Sequence, residues 1–281
     1  MQNIFMINNK LNYEQESANK KNVINSINLK IKEMMSERGY IEFEPTTHSK
    51  SEINYIFSIG GDGTMLHSMQ QSSKDSIIIG INAGNIGFLT PYIIDDVFNE
   101  SIFSCLNHDN KDHRIEKRSM INLKTKRVSV VSVNELAFNA QETNHTIDFS
   151  LSILKDDHLS KAGYYKANTL LVSAPCGSTA YNMNAGGSIV DPSMRCMQIM
   201  MIAPTTLGIR PLIIGEKSTM HLYFQQPIRV FSDGILVDTL LPGERIEISM
   251  ATEDVSVLVP DNWNFYSVLS KKLHWNNGKE V

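Results

Sequence analysis

The stretch Tyr55-Ile56-Phe57-Ser58-Ile59-Gly60-Gly61-Asp62-Gly63-Thr64 decides the fold of the N-terminal part of this chain. Its first half is a largely apolar run, which is typical of a buried strand. Residues 65–69, which follow it, can continue as a helix. The sequence therefore predicts a strand-to-helix turn that holds one acid, Asp62, among three glycines.

Such a turn suits phosphate, because glycines let a ligand approach the backbone and a helix N-terminus offers unpaired N–H groups. A carboxylate beside phosphate is electrostatically awkward. The two can coexist if Asp62 contacts a hydroxyl or a metal ion while the backbone amides contact the phosphates. This arrangement is typical of a phosphoryl-transfer site.

Composition sets the broad class. The chain has 281 residues, of which 42% are hydrophobic and 20% charged, so one large or two ordinary domains with a sizeable core are expected. The net charge of −4 and the lack of a long basic run argue against a nucleic-acid partner. No apolar run is long enough to span a bilayer, and the first twenty residues do not resemble a targeting segment, so a cytoplasmic protein with no membrane partner is expected.

Two patterns divide the chain. Up to about residue 110, apolar strands alternate with helices, the longest at 18–38 and another at 95–106, which predicts a parallel sheet covered on both faces. From about 119 to 260, short β-like runs separated by turn residues predict an antiparallel β domain. We expect domains at 1–110 and 111–261, with the helical segment 262–281 packing back on the first.

Two further segments carry chemical information. Residues 82–90 put glycines and amides after the predicted strand at 76–81, where ligands of open α/β sheets bind. Within them Leu89 is expected in the core, whereas Phe88 could lie in the core or face an adenine ring. Residues 174–187 are rich in small residues, hydroxyls and amides, so they can wrap a flat, polar ligand.

A fourth signal is the pair Asn134-Glu135, which follows the β-like run at 128–133 and could hold a ribose diol. The three cysteines, Cys105, Cys176 and Cys196, are too few and too widely spaced for a disulfide framework. Neither they nor the scattered histidines suggest a metal site.

Together these segments resemble the NAD kinase family, of the bacterial type. Residues 60–64 match its Gly-Gly-Asp-Gly-Thr motif, and residues 82–90, 134–135 and 177–187 are similar to three further motifs. Weaker agreement comes from 210–212, 232–234 and 272–275. The first motif alone also occurs in diacylglycerol-type lipid kinases and phosphofructokinases, but the combination, in order over nearly the whole chain, is specific.

The resemblance implies an N-terminal α/β domain with a Rossmann-like or phosphofructokinase-like parallel sheet, an antiparallel all-β C-terminal domain, and a site between them. It implies a transferase that uses ATP to phosphorylate the adenosine ribose 2′-hydroxyl of NAD, giving NADP. Mg²⁺ or another divalent cation is expected to arrive with ATP, without a dedicated protein cage. A homodimer or homotetramer is implied as well.

By the same resemblance Asp62 is the general base for that hydroxyl, and Gly61 and Gly63 give room for phosphate. Other residues expected at the NAD or ATP site are His67, Asn82, Phe88, Asn134, Glu135, His145, Lys166, Asn168, Cys176, Thr179, Ala180, Tyr181 and Asn184.

The chain departs from the family at two places. Ala167-Asn168-Thr169 stands where the family has Gly-Asp-Gly, whose aspartate is expected to contact the nicotinamide amide. Asn168 can still make this contact through its own amide, but the charge is lost and the choice between NAD and NADH stays open. Cys176 replaces a threonine, and a thiol is a weaker hydrogen-bonding partner. The alternatives are a lipid kinase and a non-catalytic dinucleotide sensor. The phosphoryl donor, ATP or polyphosphate, also stays open.

Overall fold

A computed structural model describes residues 3–9, 17–84, 87–104, 106, 112–142 and 145–274. Cys105, part of the segment 82–90 and the end of the segment 272–275 lie outside the described residues. The chain forms two compact units, Met1–Lys117 with Val255–Val281, and Arg118–Asp254.

The helices are α1 (Ala18–Glu37), α2 (Asp62–Gln71), α3 (Ile94–Phe98), α4 (Ser101–Ser104), α5 (Tyr181–Asn184) and α6 (Phe265–Leu273). The strands are β1 (Asn3–Asn8), β2 (Tyr40–Glu42), β3 (Ile53–Gly60), β4 (Ile77–Asn82), β5 (Tyr92–Ile93), β6 (His113–Arg118), β7 (Ile121–Lys124), β8 (Ser129–Ser132), β9 (Glu135–Ala140), β10 (Ile147–Lys155), β11 (His158–Ala167), β12 (Thr169–Ser173), β13 (Cys196–Ile202), β14 (Leu212–Gly215), β15 (Thr219–Phe224), β16 (Ile228–Ser232), β17 (Ile235–Leu240), β18 (Arg245–Met250) and β19 (Val255–Pro260). Short 3-10 turns occur at Lys50–Glu52 and Cys176–Thr179.

The first unit is built on one sheet of order β2-β1-β3-β4-β19-β6, with β5 beside β4. The pairs β1–β2, β1–β3, β3–β4 and β4–β19 are parallel, which confirms the predicted parallel sheet. Helix α1 buries Ile24, Ile27 and Ile31, which recur at helical spacing, against this unit's core. It ends at Glu37, and Gly39, two residues later, has a φ of +76° that suits glycine.

Two predictions for the first unit were wrong in detail. The helix expected at 95–106 is two short helices, α3 and α4, because Glu100 between them has a φ of +64° and interrupts the helix. The apolar run at 255–259 was assigned to the β domain, but β19 pairs in parallel with β4, Val257 facing Ile78. A fully buried strand looks the same in sequence whichever sheet it joins.

Strand β6 also belongs to this sheet. The compact units therefore divide the chain after Lys117 and after Asp254, rather than at 110 and 261. Helix α6 belongs to the first unit.

The second unit contains two six-stranded sheets of order β11-β10-β15-β18-β7-β8 and β14-β13-β12-β9-β16-β17. The strand pairs described within them are antiparallel, as predicted. One core cluster draws on both sheets, for example where Phe138 of β9 stacks on Phe224 of β15 at 5.6 Å between ring centroids. Strand β11 was missed because it is an edge strand with mostly exposed, polar residues.

No helix in the part of the chain that the structure describes is long and apolar enough to cross a membrane.

Candidate active site

The glycine-rich turn joins β3 to α2. Gly60 must be glycine, because a Cβ there would lie 2.3 Å from Oγ1 of Thr64. Gly61 and Gly63 are different, since a Cβ on either would meet no atom of the described residues within 4 Å. The first turn of α2 therefore faces open space, and its N-terminus carries the partial positive charge that attracts anions.

The Asp62 carboxylate is fixed by the loop that follows β4. Its Oδ2 accepts a hydrogen bond of 2.9 Å from the backbone N–H of Phe88, and Oδ1 accepts one of 2.9 Å from Leu89. Gly87 allows this approach, because a Cβ there would lie 2.1 Å from Oδ1 of Asp62. The side chain remains 33% exposed, so the carboxylate is held in place yet open to a ligand.

A cation from the C-terminal helix completes this cluster. Lys272 of α6 places its Nζ 3.4 Å from Oδ2 of Asp62. The same ammonium lies 4.3 Å from the centroid of the Phe88 ring, within the range of a cation–π interaction. Lys272 is not among the predicted site residues, because no sequence spacing connects residues 210 positions apart. Its only signal was its place in the weakly matching segment 272–275.

Phe88 and Asn82 support the loop. Phe88 is only 7% exposed, and the centroid of its ring lies 6.3 Å from that of Phe265. Of the two predictions for Phe88, a place in the core or a contact with an adenine ring, the structure favours the core. Asn82 donates from Nδ2 to Thr90 at 3.1 Å and accepts from the backbone of Gly84 at 2.7 Å, so its amide shapes the loop. His67 lies half-buried on α2, on the same helix as Asp62.

In the second unit, Asn134 and Glu135 lie at the start of β9 and are held by Asp233. The Asp233 carboxylate accepts backbone hydrogen bonds from Val133 at 2.9 Å, from Asn134 at 2.7 Å and from Glu135 at 3.0 Å. Three donors on one carboxylate fix the backbone of this segment. Asp233 was noted only as part of the weakly matching segment 232–234, so its contact with the pair was not anticipated.

Each side chain of the pair has one oxygen to which no hydrogen bond is donated in the described part of the chain. Oδ1 of Asn134 and Oε2 of Glu135 are buried and have no hydrogen-bond partner among the described residues. Burial, and then the nearby negative charge of Asp233, raise the pKa of Glu135 to about 7. Buried acceptors without partners are costly, so these two oxygens are able to accept hydrogen bonds from a donor such as a hydroxyl group.

The segment 174–187 lies against this pair. The backbone N–H of Ala174 donates to the carbonyl oxygen of Asn134 at 2.9 Å, and a Cβ on Gly177 would lie 2.0 Å from that oxygen. Cys176 is buried, and its carbonyl oxygen accepts from the hydroxyl of Thr179 at 3.2 Å. Among the other residues predicted here, Ala180 is half-buried and Tyr181 and Asn184 are exposed.

The structure groups His145 and Lys166 elsewhere in this unit, on a cavity of about 930 Å³ that the segment 174–187 does not line. Lys166 pairs with Asp148 at 3.7 Å, and His145 lies 3.4 Å from Glu142. Asn168 does not line the cavity either, and its Oδ1 accepts from the hydroxyl of Thr169 at 3.2 Å.

An acid held open at the glycine-rich start of a helix, on a parallel sheet, is the arrangement expected of a phosphoryl-transfer enzyme. The N-terminal domain model of the ATP-NAD kinases matches residues 3–110, and the C-terminal domain model matches residues 116–259. The chain belongs to the ATP-NAD kinase family, and it is an enzyme of the phosphotransferase class.

Similar proteins agree with this assignment. The NAD kinase of Caldicellulosiruptor saccharolyticus is 30% identical over 224 residues, which cover 79% of this chain and 83% of the relative. The NAD kinase of Buchnera aphidicola subsp. Baizongia pistaciae is 30% identical over 246 residues, which cover 84% of this chain and 82% of the relative.

Solved structures share the fold. Yeast NADH kinase complexed with NADH has a TM-score of 0.79 at 17% identity, covering all of this chain and 89% of that one. An NAD kinase from Archaeoglobus fulgidus in complex with ATP has a TM-score of 0.72 at 20% identity, covering 98% and 99%.

Proposed function

We propose that this enzyme transfers the γ-phosphoryl group of ATP to the adenosine ribose 2′-hydroxyl of NAD, giving NADP and ADP. One observation carries the proposal. In a chain of the ATP-NAD kinase family, the acid of the glycine-rich turn is present and held by two backbone amides, yet open to a ligand. Neither a lipid kinase nor a binding protein that has lost activity accounts for this together with the family match over both domains.

Asp62 acts as the general base. The hydroxyl oxygen attacks the γ-phosphorus, the bond from that phosphorus to the bridging oxygen of ADP breaks, and the hydroxyl proton passes to Asp62. General-base assistance of this kind contributes roughly 10²–10⁴-fold. The remaining acceleration comes from alignment and from stabilisation of charge on the phosphoryl oxygens. The open N-terminus of α2 beside Gly61 and Gly63 suits the phosphates.

The second unit binds the dinucleotide. Glu135 and Asn134 accept hydrogen bonds from its hydroxyl groups through the two buried oxygens that have no partner in the described part of the chain. The hydroxyl of Thr179, the backbone of Ala180 and the exposed Tyr181 ring form the adenine and ribose pocket, with Cys176 and Asn184 beside it. His145, Lys166 and Asn168 are proposed to contact other parts of the substrate.

A divalent cation fits this site as a companion of ATP. Among the described residues, no group of three or more His, Cys, Asp or Glu side chains could hold a metal ion. The phosphate oxygens would supply most of the ligands, and the Asp62 carboxylate in the glycine-rich turn is an oxygen donor of the kind that such a hard cation prefers. When bound, the cation neutralises charge on the phosphates.

We also propose a homodimer or homotetramer that acts in the cytoplasm. The support is the family resemblance. Light scattering coupled to size-exclusion chromatography measures the mass of the assembly directly, and a mass of one chain at micromolar concentration would contradict the oligomer.

An assay for NADP tests the function. The enzyme is incubated with NAD, ATP and Mg²⁺, and an NADP-specific dehydrogenase reports the product. NADP formation is expected. A lipid kinase would leave NAD unchanged, and a sensor would bind NAD without turnover, so either result would overturn the proposal. Parallel reactions with NADH in place of NAD, and polyphosphate in place of ATP, identify the preferred acceptor and donor.

A further inference from the structure

Lys272 is a cation that the function proposed above leaves unused. Among the described residues it is the ion-pair partner of Asp62, with 3.4 Å between Nζ and Oδ2. Both side chains remain accessible, Lys272 at 31% and Asp62 at 33%, so a ligand can reach this pair. An accessible ion pair contributes little to the stability of a protein, because solvent screens the two charges.

The fold does not need this lysine to hold α6. Leu269 of the same helix is buried, and Phe265 packs against Phe88. The segment before the helix is anchored by Arg114, whose guanidinium donates to the carbonyl oxygens of Pro260 at 3.0 Å and Trp263 at 2.8 Å. The helix is thus fastened by contacts that do not involve Lys272.

The proposed role of Asp62 as general base brings the reacting atoms close to Lys272. A general base lies within about 2.6–3.2 Å of the oxygen whose proton it accepts, so the attacking oxygen lies within about 7 Å of the Lys272 ammonium. The phosphorus under attack is adjacent to that oxygen. A lysine side chain is flexible at four torsions, so Nζ can reach the oxygens of the transferred group by a rotamer change.

The negative charges of ATP and of Asp62 favour a cation at this position. The reaction brings the negative phosphates of ATP close to the negative carboxylate of Asp62, and the protein must offset their repulsion. Phosphoryl-transfer sites commonly place a lysine or arginine against these oxygens. The Phe88 ring lies 4.3 Å from the ammonium. This contact keeps the cation at the site once Asp62 accepts a hydrogen bond from the hydroxyl.

We propose that Lys272 is a second catalytic residue, whose ammonium moves from Asp62 to the transferred phosphoryl group of ATP when the substrates bind. This proposal rests on the proposed function. It assigns to the C-terminal helix a direct part in the reaction.

The test compares Lys272→Met, Lys272→Arg and the matched control Lys271→Met, which removes the same charge from the neighbouring exposed position of α6. Lys272→Met should lower kcat by roughly 10²-fold, as for the loss of one donor that stabilises charge in a transition state. It should also weaken the binding of ATP·Mg²⁺ in calorimetry, without changing the Kd for NAD or the melting temperature. Lys272→Arg should recover part of the rate, and Lys271→Met should match the unmodified enzyme.

The outcomes separate the two proposals. If the unmodified enzyme forms NADP and Lys272→Met keeps its kcat and ATP affinity, Lys272 is not catalytic. If Lys272→Met instead lowers the melting temperature and Lys272→Arg restores only that, the lysine is structural. If the unmodified enzyme forms no NADP, the proposed function is wrong. In that case the binding of ATP still tests the lysine separately: if Lys272→Met leaves the affinity for ATP unchanged, the proposed contact between Lys272 and the phosphates is wrong as well.

Discussion

The backbone N–H of Glu135 donates a 3.0 Å hydrogen bond to Oδ1 of Asp233, so one acid positions another. Asp233 lies in the turn between β16 and β17 with a φ of +48°, and the same carboxylate also holds Val133 and Asn134. Glu135 is half-buried, and its buried Oε2 has no partner among the described residues. The pKa of Glu135 rises to about 7, first through burial and then through the charge of Asp233.

This pKa makes dinucleotide binding depend on pH. Ribose hydroxyls donate to the ionised carboxylate, so NAD binds the deprotonated form and affinity falls as pH decreases below about 7. The Kd should rise about tenfold between pH 8 and pH 6, because proton and ligand compete. Calorimetric titrations at these two pH values measure the change. Glu135→Gln should bind weakly at both, with a flat profile, and an equally steep profile in that variant would assign the dependence to another group.

The same carboxyl should affect folding. Its folded pKa of about 7 lies above the ordinary value of 4.5, so between these values the folded state binds more protons than the unfolded state. The contribution of Glu135 to stability is therefore largest at low pH and is lost as pH rises through 7, by on the order of 3 kcal/mol in total.

Denaturant unfolding of the unmodified enzyme and of Glu135→Gln at pH 5 and pH 8 isolates this contribution. The unfolding free energy of the unmodified enzyme should fall relative to that of the variant as pH increases. A constant difference between the two would mean that the pKa of Glu135 is not raised by folding.

Asp233→Asn should impair binding through position and charge. An amide in place of the carboxylate loses one acceptor and turns an N–H toward backbone donors, which costs about 1–3 kcal/mol. The KM for NAD should rise, and the pH at which NAD affinity declines should move down, because a negative charge next to Glu135 is gone. Asp157→Asn is the matched control, an exposed turn aspartate with a φ of +62°. Equal effects in both variants would show a general loss of stability.

The sequence predicted those parts of the fold and site that depend on local pattern. The strand before Gly60 and the helix after it follow from an apolar run and a glycine turn, and both are present as β3 and α2. Lys272 could not be placed, because its contact with Asp62 depends on α6 folding against the loop after β4. The role of Asp233 was hidden for the same reason, since it lies about 100 residues after the backbone that it holds. Long-range contacts between polar groups leave no periodicity in a sequence.

Gly87→Ala should disable the base without removing it. The added Cβ would lie 2.1 Å from Oδ1 of Asp62 and 2.6 Å from Oγ1 of Thr90, so the carboxylate must move. A displacement of about 1 Å at a reacting group can reduce the rate about 10²-fold. Gly84→Ala, in the same loop, is the control, because a Cβ there meets no atom within 4 Å in the part of the chain that the structure describes. Steady-state kcat and melting temperature are measured for both. The geometry is wrong if Gly87→Ala turns over like Gly84→Ala.

Asp62→Asn should leave NAD binding largely intact but remove most turnover. The substitution preserves size, and the hydroxyl contacts at Asn134 and Glu135 are unchanged, so the calorimetric Kd for NAD should stay close to that of the unmodified enzyme. The amide cannot accept the proton of the 2′-hydroxyl, so kcat should fall by roughly 10²–10⁴-fold. Asp75→Asn, an exposed aspartate beyond the end of α2, is the control and should retain full activity. If Asp62→Asn formed NADP at a rate near that of the control, the proton would have another acceptor and the carboxylate would serve only to hold the loop of Phe88 and Leu89.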